Sequence, residues 1–337
     1  MKAVAYRRPL PIADAESLLD VTLPEPVAAG RDLLVRVEAV SVNPVDVKIR
    51  AGSTPAEGQL KVIGWDAVGT VEAVGEQVTL FKPGDRVWYA GDITRSGSNA
   101  ELQLVDERIV GHAPSSLPVA QAAALPLTAI TAWELLFDRL GATADTEGAL
   151  LIIGAAGGVG SILTQLARRL TKLTVIGTAS RPETQAWLRE LGAHHVIDHH
   201  QPLLPQLQAA GVPQVTAVAS LTHTATYFKQ VVEALAPQGR LALIDDFHEP
   251  LDVMAMKRKS LSLHWELMFT RPMMQTADMH KQHELLDAVA KLVDAGTLRS
   301  TLGEHFGAIN ATNLKRAHAF IESGKARGKV VLEGFHD

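Results

Sequence analysis

The chain has 337 residues, 47% of them hydrophobic and 20% charged, which is the composition of a folded globular protein of about two domains. Its net charge of −5 and its 5% content of aromatic residues argue against a nucleic-acid partner or an anionic membrane surface. The sequence contains no cysteine, which excludes disulfides, iron–sulfur clusters, thiolate nucleophiles and cysteine-bound zinc. A reducing compartment suits such a chain, and no long apolar run follows the basic residues near the N-terminus, so we expect a cytoplasmic protein.

The first hundred residues predict short strands separated by turns. Residues 33–40 are rich in β-formers, residues 69–75 form a run bounded by glycines, and a Pro-Gly-Asp turn leads into residues 86–88. Strands at this spacing are typical of a small β-barrel or sandwich-like module.

A helical segment and then an alternation of strands and helices follow Pro118. Residues 119–140 are rich in alanine and leucine at helical spacing, with an interruption at Pro126. Because strands and helices alternate after residue 148, we expect a doubly wound parallel sheet with right-handed crossovers. The predicted strands are residues 149–154, 174–178, 195–198, 215–220 and 239–245, and the predicted helices are residues 161–170, 183–191 and 227–235. Helices at residues 283–295 and 314–323 and a strand at residues 328–332 complete the chain.

One stretch, residues 148–167, has twenty residues without a charge, which is long enough to cross a bilayer. It contains five glycines, and Arg168 and Arg169 follow it directly. A membrane span does not explain the glycines, whereas a ligand-binding turn does, so we expect no membrane segment.

The strongest chemical signal is residues 150–161, which predict a strand, a tight turn and the start of a helix, in that order. Such a turn brings backbone N–H groups and the positive end of the helix dipole to the phosphates of a dinucleotide. Ala155 stands where the G-x-G-x-x-G pattern has its first glycine, so the match is incomplete, and a glycine-rich turn without a ligand is the alternative. We expect cofactor contacts from Ala155, Gly157, Gly158, Val159 and Gly160.

The end of the next predicted strand decides between the two nicotinamide dinucleotides. NAD sites place a carboxylate there, which binds the ribose 2′-hydroxyl. This chain has Ser180 and Arg181 instead, and a hydroxyl with a guanidinium suits a 2′-phosphate. We therefore predict NADPH as the cofactor. The alternative is that Arg181 is a solvated residue that opens the next helix.

Together with the glycine turn, five further motifs make nearly the whole chain similar to one superfamily. They are residues 43–46 (NPVD), 64–69 (GWDAVG), 82–87 (KPGDRV), 124–133 (ALPLTAITAW) and 324–332 (GKARGKVVL). The chain resembles the medium-chain dehydrogenase/reductase superfamily and, within it, the zinc-free quinone oxidoreductase branch, which is zeta-crystallin-like. The resemblance implies an α/β fold with a GroES-like β-barrel catalytic domain (residues 1–125), a Rossmann NADPH-binding domain (126–268) and a C-terminal segment (269–337) that returns to the catalytic domain. It also implies a cofactor in the cleft between the domains and a homodimer formed through the edge of the Rossmann sheet.

The zinc-dependent alcohol dehydrogenases of this superfamily have a cysteine near the position of Pro44 and a His-Glu pair in place of Trp65 and Asp66. Both features, and the four-cysteine structural loop, are missing here, so three zinc ligands cannot be assembled at these positions. Without a Lewis acid, a conjugated acceptor is easier to reduce than a simple carbonyl, because the developing anion needs only hydrogen bonds and a proton. We therefore predict hydride transfer to a small hydrophobic quinone or α,β-unsaturated carbonyl compound.

The resemblance places four residues in the catalytic cleft. Asn43 would orient the nicotinamide ribose or donate to the substrate oxygen, and Asp46 would hold the loop or the ribose hydroxyls. Lys48 would stabilise an anion or donate a proton, and its alternative is a surface lysine on a helical turn. Trp65 would line the pocket, and its alternative is core packing.

Thr128 is expected near the cofactor phosphates, and Lys329 either reaches the cofactor or is solvated. Histidines 194, 195, 199 and 200 flank Asp198 and could bind a transition metal, but they lie on the third Rossmann strand and its loop, so we expect no functional metal. Two other functions stay open. One is an alcohol or aldehyde dehydrogenase with an atypical metal site, and the other is an NADPH-binding protein with a regulatory role and no turnover.

Overall fold

The computed structural model describes residues 1–335 and shows an α/β chain that divides into two compact units. The first unit combines Met1–Ile130 with Phe269–Asp337, and the second unit is Thr131–Met268. Residues 119–123 and 126–133 form two separate helices, so the helical segment is interrupted before Pro126, as the sequence predicts. Pro126 occupies the first turn of the second helix, where its missing N–H costs nothing. The two units divide at residues 130/131, inside that helix, whereas the predicted boundary is at residues 125/126.

Short strands fill the N-terminal part of the first unit. In β3, Leu33, Val35 and Val37 are buried while Arg36 between them is exposed, which is the alternation of a strand with one face on a core. The strands are β1 (Lys2–Tyr6), β2 (Leu19–Thr22), β3 (Asp32–Val42), β4 (Lys61–Val62), β5 (Ala67–Val74), β6 (Arg86–Tyr89), β7 (Leu102–Asp106) and β8 (Val110–His112). The helices are α1 (Pro44–Gly52), α2 (Val119–Ala123) and α3 (Pro126–Trp133), with a 3-10 turn at Glu107–Ile109.

The second unit is a six-stranded parallel sheet with the order β11-β10-β9-β12-β13-β14. Its strands are β9 (Ala149–Ile153), β10 (Thr174–Thr178), β11 (His195–Ile197), β12 (Val215–Ser220), β13 (Leu235–Leu243) and β14 (Ser262–Trp265). Its helices are α4 (Gly158–Leu170), α5 (Pro182–Leu191), α6 (Leu203–Ala209), α7 (Thr224–Ala234) and α8 (Met254–Lys257), preceded by a π-helical segment at Glu134–Arg139. Strand β9 is buried throughout, as expected of a central parallel strand. From β9 the chain adds β10 and β11 on one side of the sheet, and it then returns to add β12, β13 and β14 on the other side. The carboxyl ends of β9 and β12, where the chain changes sides, form the expected ligand edge.

The C-terminal part of the chain completes the first unit. It contains α9 (Thr270–Met274), α10 (Lys281–Asp294), β15 (Leu302–His305), α11 (Ala311–Glu322) and β16 (Lys329–Glu333). Strand β16 pairs antiparallel with β3, with Val330 opposite Val42, in a sheet of order β15-β16-β3-β5-β6-β8 to which β7 adds through β3. A second, three-stranded sheet has the order β2-β1-β4.

Several element ends differ from the sequence prediction because distant residues set them. Helix α7 begins at Thr224 and not at residue 227, because Asp245 accepts a hydrogen bond from the Thr224 N–H (2.9 Å). Strand β13 begins at Leu235 and not at residue 239, because Leu235 pairs with Val215 of β12. Neither partner is near in sequence, so local pattern alone does not reveal these ends.

Within residues 1–335 one segment, Val119–Arg139, is apolar and long enough by composition to cross a membrane. Its most apolar window is 83% buried inside the structure, which is also the property of a core helix in a globular protein. The uncharged stretch at residues 148–167 divides into β9, a turn and α4.

Candidate active site

A buried polar network, which we call the Asp66 network, connects β3, α1 and β16 in the first unit. Asp66 Oδ2 accepts hydrogen bonds from Ser41 Oγ (2.7 Å) and Asn43 Nδ2 (2.9 Å). Lys329 Nζ donates to the same oxygen (2.9 Å) and to Asn43 Oδ1 (2.5 Å). The four side chains belong to residues that are at most 3% exposed. An ammonium and a carboxylate are stable at this depth only because each neutralises the other and their remaining hydrogen bonds are satisfied.

Asn43 and Asp46 also begin α1. The Asn43 N–H donates to Asp46 Oδ2 (2.7 Å), which is half of a capping box, and Pro44 occupies the first turn. Burial raises the pKa of the Asp46 carboxyl to about 7, against the opposing effects of the Asn43 N–H and the Lys329 ammonium. A carboxyl pKa raised in this way is a common feature of functional sites.

Trp65 lies wholly inside the first unit, with none of its surface exposed. Its ring meets the edge of Phe269 at a centroid distance of 6.1 Å, and its Nε1 donates to Asp92 O (3.4 Å). Its backbone oxygen accepts a hydrogen bond from Asn43 Nδ2 (3.2 Å), so the residue also supports the Asp66 network.

Two predicted site residues lie outside that network. Lys48 is on the exposed side of α1. Thr128 is buried in the first turn of α3, where its Oγ1 donates to Leu125 O (3.1 Å).

Sequence reasoning missed Asp66 as the centre of the network. Residues 64–69 are one of the motifs that carry the family resemblance. Within them, Asp66 matters to the sequence analysis only as the position where zinc-dependent relatives have the glutamate of a His-Glu pair. Its main cation, Lys329, is 263 residues away, and Leu127 N–H, 61 residues away, donates to its second oxygen (2.7 Å). The one available signal was an acidic residue inside an otherwise apolar and glycine-rich motif.

In the second unit, the chain between β9 and α4 makes the tight turn that the sequence predicts. Gly154 has a φ of +77°, so it supplies the left-handed conformation one residue before the imperfect motif position at Ala155. A β-carbon on Gly160 would lie 2.4 Å from Ala155 O, so only glycine lets α4 approach the turn this closely. A β-carbon on Gly157 would meet no protein atom nearer than Gly154 O at 3.5 Å, so there is open space above the turn.

This turn has the features that a dinucleotide pyrophosphate needs. The first N–H groups of α4 have no carbonyl partner within the helix, and the positive end of its dipole lies at Gly157 and Gly158. A phosphate in the open space beside Gly157 would meet both. The residues present therefore fit the diphosphate of a nicotinamide dinucleotide.

Ser180 and Arg181 follow β10, the strand next to β9, and lie at the same edge of the sheet. No carboxylate stands at this strand end. Arg181 begins α5, pairs with Glu183 (3.3 Å), and has a side chain that is 42% exposed. Its guanidinium is therefore accessible to an anionic ligand.

A buried carboxyl that sequence reasoning did not single out follows β14 in the same unit. Burial, with the nearby Glu134 carboxyl, raises the pKa of Glu266 to about 9, and Arg139 Nε donates to its Oε2 (2.9 Å). The Arg139 guanidinium opposes this rise.

The histidines around Asp198 are not arranged as a metal site. Within residues 1–335, no group of three or more His, Asp or Glu side chains is placed to hold a metal ion. His194 Nδ1 accepts the Val175 N–H (2.9 Å), which fixes it to the sheet, while the rings of His199 and His200 lie 4.5 Å apart.

Comparison with known families and proteins gives consistent matches over the whole chain. The family described as "Alcohol dehydrogenase GroES-like domain" matches residues 29–115, and "Zinc-binding dehydrogenase" matches residues 191–332. A zinc-type alcohol dehydrogenase-like protein from Staphylococcus aureus (strain MSSA476) is 40% identical over 336 residues, which is 98% of this chain and 99% of that protein.

Solved structures agree with these matches. A candidate zinc-dependent alcohol dehydrogenase from Rhizobium etli CFN 42 has a TM-score of 0.95 at 57% identity and covers 100% of this chain and 99% of its own. A quinone oxidoreductase from Coxiella burnetii has a TM-score of 0.81 at 26% identity, with 99% of each chain covered. The mycobacterial protein Rv1454c, solved in complex with NADPH, has a TM-score of 0.84 at 28% identity, again with 99% of each chain covered.

Proposed function

Because this chain belongs to the medium-chain dehydrogenase/reductase superfamily of oxidoreductases, we propose that it is an NADPH-dependent, zinc-independent reductase of quinones or α,β-unsaturated carbonyl compounds. The observation that carries this proposal is the second unit's ligand edge. There an open glycine turn stands beside a strand end that has Ser180 and Arg181 and no carboxylate. The related mycobacterial protein in complex with NADPH and the related quinone oxidoreductase support it. A cytoplasmic location accompanies the proposal, since the cysteine-free sequence suits a reducing compartment.

Zinc independence is argued from the residues at Trp65 and Asp66. Trp65 offers no metal-binding atom. Both Asp66 oxygens already accept hydrogen bonds, and one of them faces the Lys329 ammonium, whose positive charge opposes a second cation at this point. The side chains at these two positions therefore favour a reaction that does not need a metal ion as a Lewis acid.

The roles of the chain's own residues follow from their positions. When bound, the reduced nicotinamide supplies a hydride, and a conjugated acceptor then needs a proton and support for its oxygen anion. Both ends of the Asn43 amide are engaged in the Asp66 network, so we assign Asn43 to positioning. Lys48, exposed on α1, is the residue we assign as proton donor, and Asp46 is a carboxyl that can exchange a proton near pH 7.

A substrate and metal panel on the purified protein tests the proposal. We expect oxidation of NADPH by quinones and enones, no requirement for zinc, and no loss of activity in EDTA. The names of the most similar relatives favour a second candidate, a zinc-type alcohol dehydrogenase. Stoichiometric zinc that turnover requires, with oxidation of simple alcohols, would establish that candidate instead. Tight NADPH binding without turnover on any acceptor would indicate a regulatory protein.

Replacing Arg181 with Ala tests the choice of cofactor. We expect the KM for NADPH to rise about tenfold or more while the KM for NADH changes little, because only NADPH carries the 2′-phosphate that a guanidinium binds. Arg189→Ala is the matched control, since Arg189 is an exposed arginine at the other end of α5. Equal changes for both dinucleotides in Arg181→Ala would contradict the assignment.

A further inference from the structure

Two loops at the ligand edge of the second unit carry imidazoles that the proposed function does not use. His199 and His200 follow β11, and His223 follows β12. The loop after β10 carries Ser180 and Arg181. Because all these strands are parallel, their following residues leave the sheet at one edge.

The loops after β10 and β11 run side by side. Thr178 pairs with Ile197 at the last register position of the two strands, and the Ala179 N–H donates to Ile197 O (2.9 Å). Beyond these positions the chain after β11 turns, since the Gln201 N–H donates to Asp198 O (3.1 Å), and His199 lies in that turn. His199 thus follows the strand adjacent to β10, at whose end we assign the 2′-phosphate.

The loop after β12 approaches from the other side of the glycine turn. A β-carbon on Gly154 would lie 2.8 Å from Thr222 Cγ2, so Thr222 lies directly on the turn. Thr222 Oγ1 shares a hydrogen bond with His223 Nδ1 (2.8 Å). His223 has a φ of +52°, an uncommon conformation for a residue other than glycine, and such conformations are concentrated at functional sites.

His199 and His223 also share their surroundings. The His199 ring contacts Tyr227 of α7 at a centroid distance of 6.2 Å, and α7 begins directly after His223. The two imidazoles thus border one region of the ligand edge, with the glycine turn between the loops that carry them.

We propose that His199 and His223 are specificity residues for the phosphorylated dinucleotide: protonated imidazoles that, with Arg181, bind the phosphate on the adenosine ribose. This inference rests on the proposed function, since it assumes that NADPH binds at this edge. It adds a consequence that Arg181 alone does not have, because a guanidinium stays charged at all accessible pH values and an imidazole does not. Discrimination between NADPH and NADH should therefore strengthen as the pH falls.

The surroundings of His199 favour its neutral ring in the absence of a bound anion. Partial burial lowers the pKa of His199, the neighbouring His200 and His223 lower it further, and Asp198 opposes them. Tyr227 faces it from α7, and the pair Arg181–Glu183 lies on the adjoining loop. A phosphate dianion entering this group would oppose these effects and favour uptake of a proton by the protein.

Binding measurements at several pH values test the proposal without requiring turnover. For the wild type, we expect the ratio of the NADH Kd to the NADPH Kd to rise about tenfold between pH 8.5 and 6.5, as for one linked proton. The range stops at pH 6.5 because the phosphate itself titrates near pH 6. Calorimetry in two buffers of different ionisation enthalpy should show proton uptake with NADPH and none with NADH.

Two substitutions then locate the protons. His199→Gln and His223→Asn remove the imidazoles, and Asn tolerates the left-handed backbone at residue 223. We expect the double variant to bind NADH as the wild type does, which reports correct folding, while the Kd ratio becomes nearly independent of pH. His280→Gln, at an exposed histidine in the first unit, is the control and should keep the wild-type dependence.

Each outcome has a separate meaning. A wild-type ratio that does not change with pH, or a pH dependence that persists in the double variant, would overturn this inference and leave the proposed function intact. Failure of the wild type to bind NADPH at any pH would overturn the proposed function itself.

Discussion

Asp66 joins parts of the first unit that are far apart in the chain. Its two oxygens accept hydrogen bonds from side chains on β3 and β16 and from the backbone at Leu127. The Lys329 ammonium is buried with it and is the closest positive charge. A buried pair of this kind adds little stability over an apolar pair, but removing one partner leaves a charge that neither water nor protein neutralises.

We therefore expect Lys329→Met to lower the free energy of unfolding by about 3–5 kcal/mol, because the Asp66 carboxylate is left buried without its cation. Denaturant unfolding at pH 7 measures this loss. Adding Asp66→Asn to the same chain should recover part of it, since the buried charge is then also removed. Losses that simply add in the double variant would show that the two residues do not depend on each other.

His318 on α11 is a second residue whose burial determines its chemistry. It has no exposed surface, and neither ring nitrogen has a hydrogen-bond partner within residues 1–335. Burial, with a smaller effect of the nearby Arg50 guanidinium, lowers the pKa of His318 from 6.5 to about 3. The folded chain therefore keeps the neutral ring in a pH range where the unfolded chain binds a proton.

From this we expect the free energy of unfolding to fall as the pH drops below 6.5, by up to about 1.4 kcal/mol per pH unit from this residue. His318→Leu removes the titration, so its loss of stability between pH 7.5 and pH 5.0 should be about 2 kcal/mol smaller than that of the wild type. His248→Gln changes an exposed histidine and should leave the wild-type dependence in place. An identical acid loss in His318→Leu would contradict the role given to this ring.

At the scale of elements, the strand–turn–helix around the glycine loop could be predicted in detail. Its apolar run, its glycines and its helix start are all within a few residues of one another. Helix α4 starts at Gly158, three residues before the predicted start. The close approach of Gly160 to Ala155 is the packing that the last glycine of the pattern predicts. The first unit was harder to predict, because strands such as β1 and β15 are short and are defined by partners far along the chain. The Asp66 network could not be predicted for the same reason.

The two inner glycines of the turn should respond differently to substitution by alanine. In Gly157→Ala we expect an unfolding free energy within about 1 kcal/mol of the wild type, because φ is −74° and nothing lies within 3.5 Å of the new methyl group. NADPH binding should weaken about tenfold or more, since the methyl group fills the space for the phosphate.

Gly160→Ala is the matched comparison. Its methyl group would lie 2.4 Å from Ala155 O, so we expect a loss of about 1–3 kcal/mol in stability from overpacking. Thermal unfolding and fluorescence titration with NADPH distinguish the two variants. Normal NADPH affinity in a folded Gly157→Ala variant would show that the turn does not bind the dinucleotide.

At the scale of the whole molecule, the second unit has an apolar surface at one end of its sheet. Strand β14 is the last strand in the order, and within residues 1–335 it pairs with β13 alone. Trp265 on β14 is 55% exposed and stacks on Phe247, and Leu267 and Met254 nearby in sequence are also exposed. Unpaired strand edges with large apolar side chains favour pairing with another chain.

We accordingly expect a homodimer that forms through β14, with twice the chain mass in light scattering. Trp265→Lys should shift the population toward monomer, because a charge would be placed in an apolar interface. Met274→Lys changes an exposed apolar side chain on α9 of the first unit and should leave the dimer intact. A monomeric wild type at micromolar concentration would rule out this assembly.

The pairing of β16 with β3 has a consequence for how the protein is made. A ribosome releases all of the second unit before it has translated the strand that covers β3. At 5–20 residues per second, the N-terminal sheet waits roughly 10–40 s for that strand. During this time the edge of β3 is unpaired where β16 later binds, and Asp66 lacks its cation, so we expect the nascent chain to be most prone to aggregation in this interval.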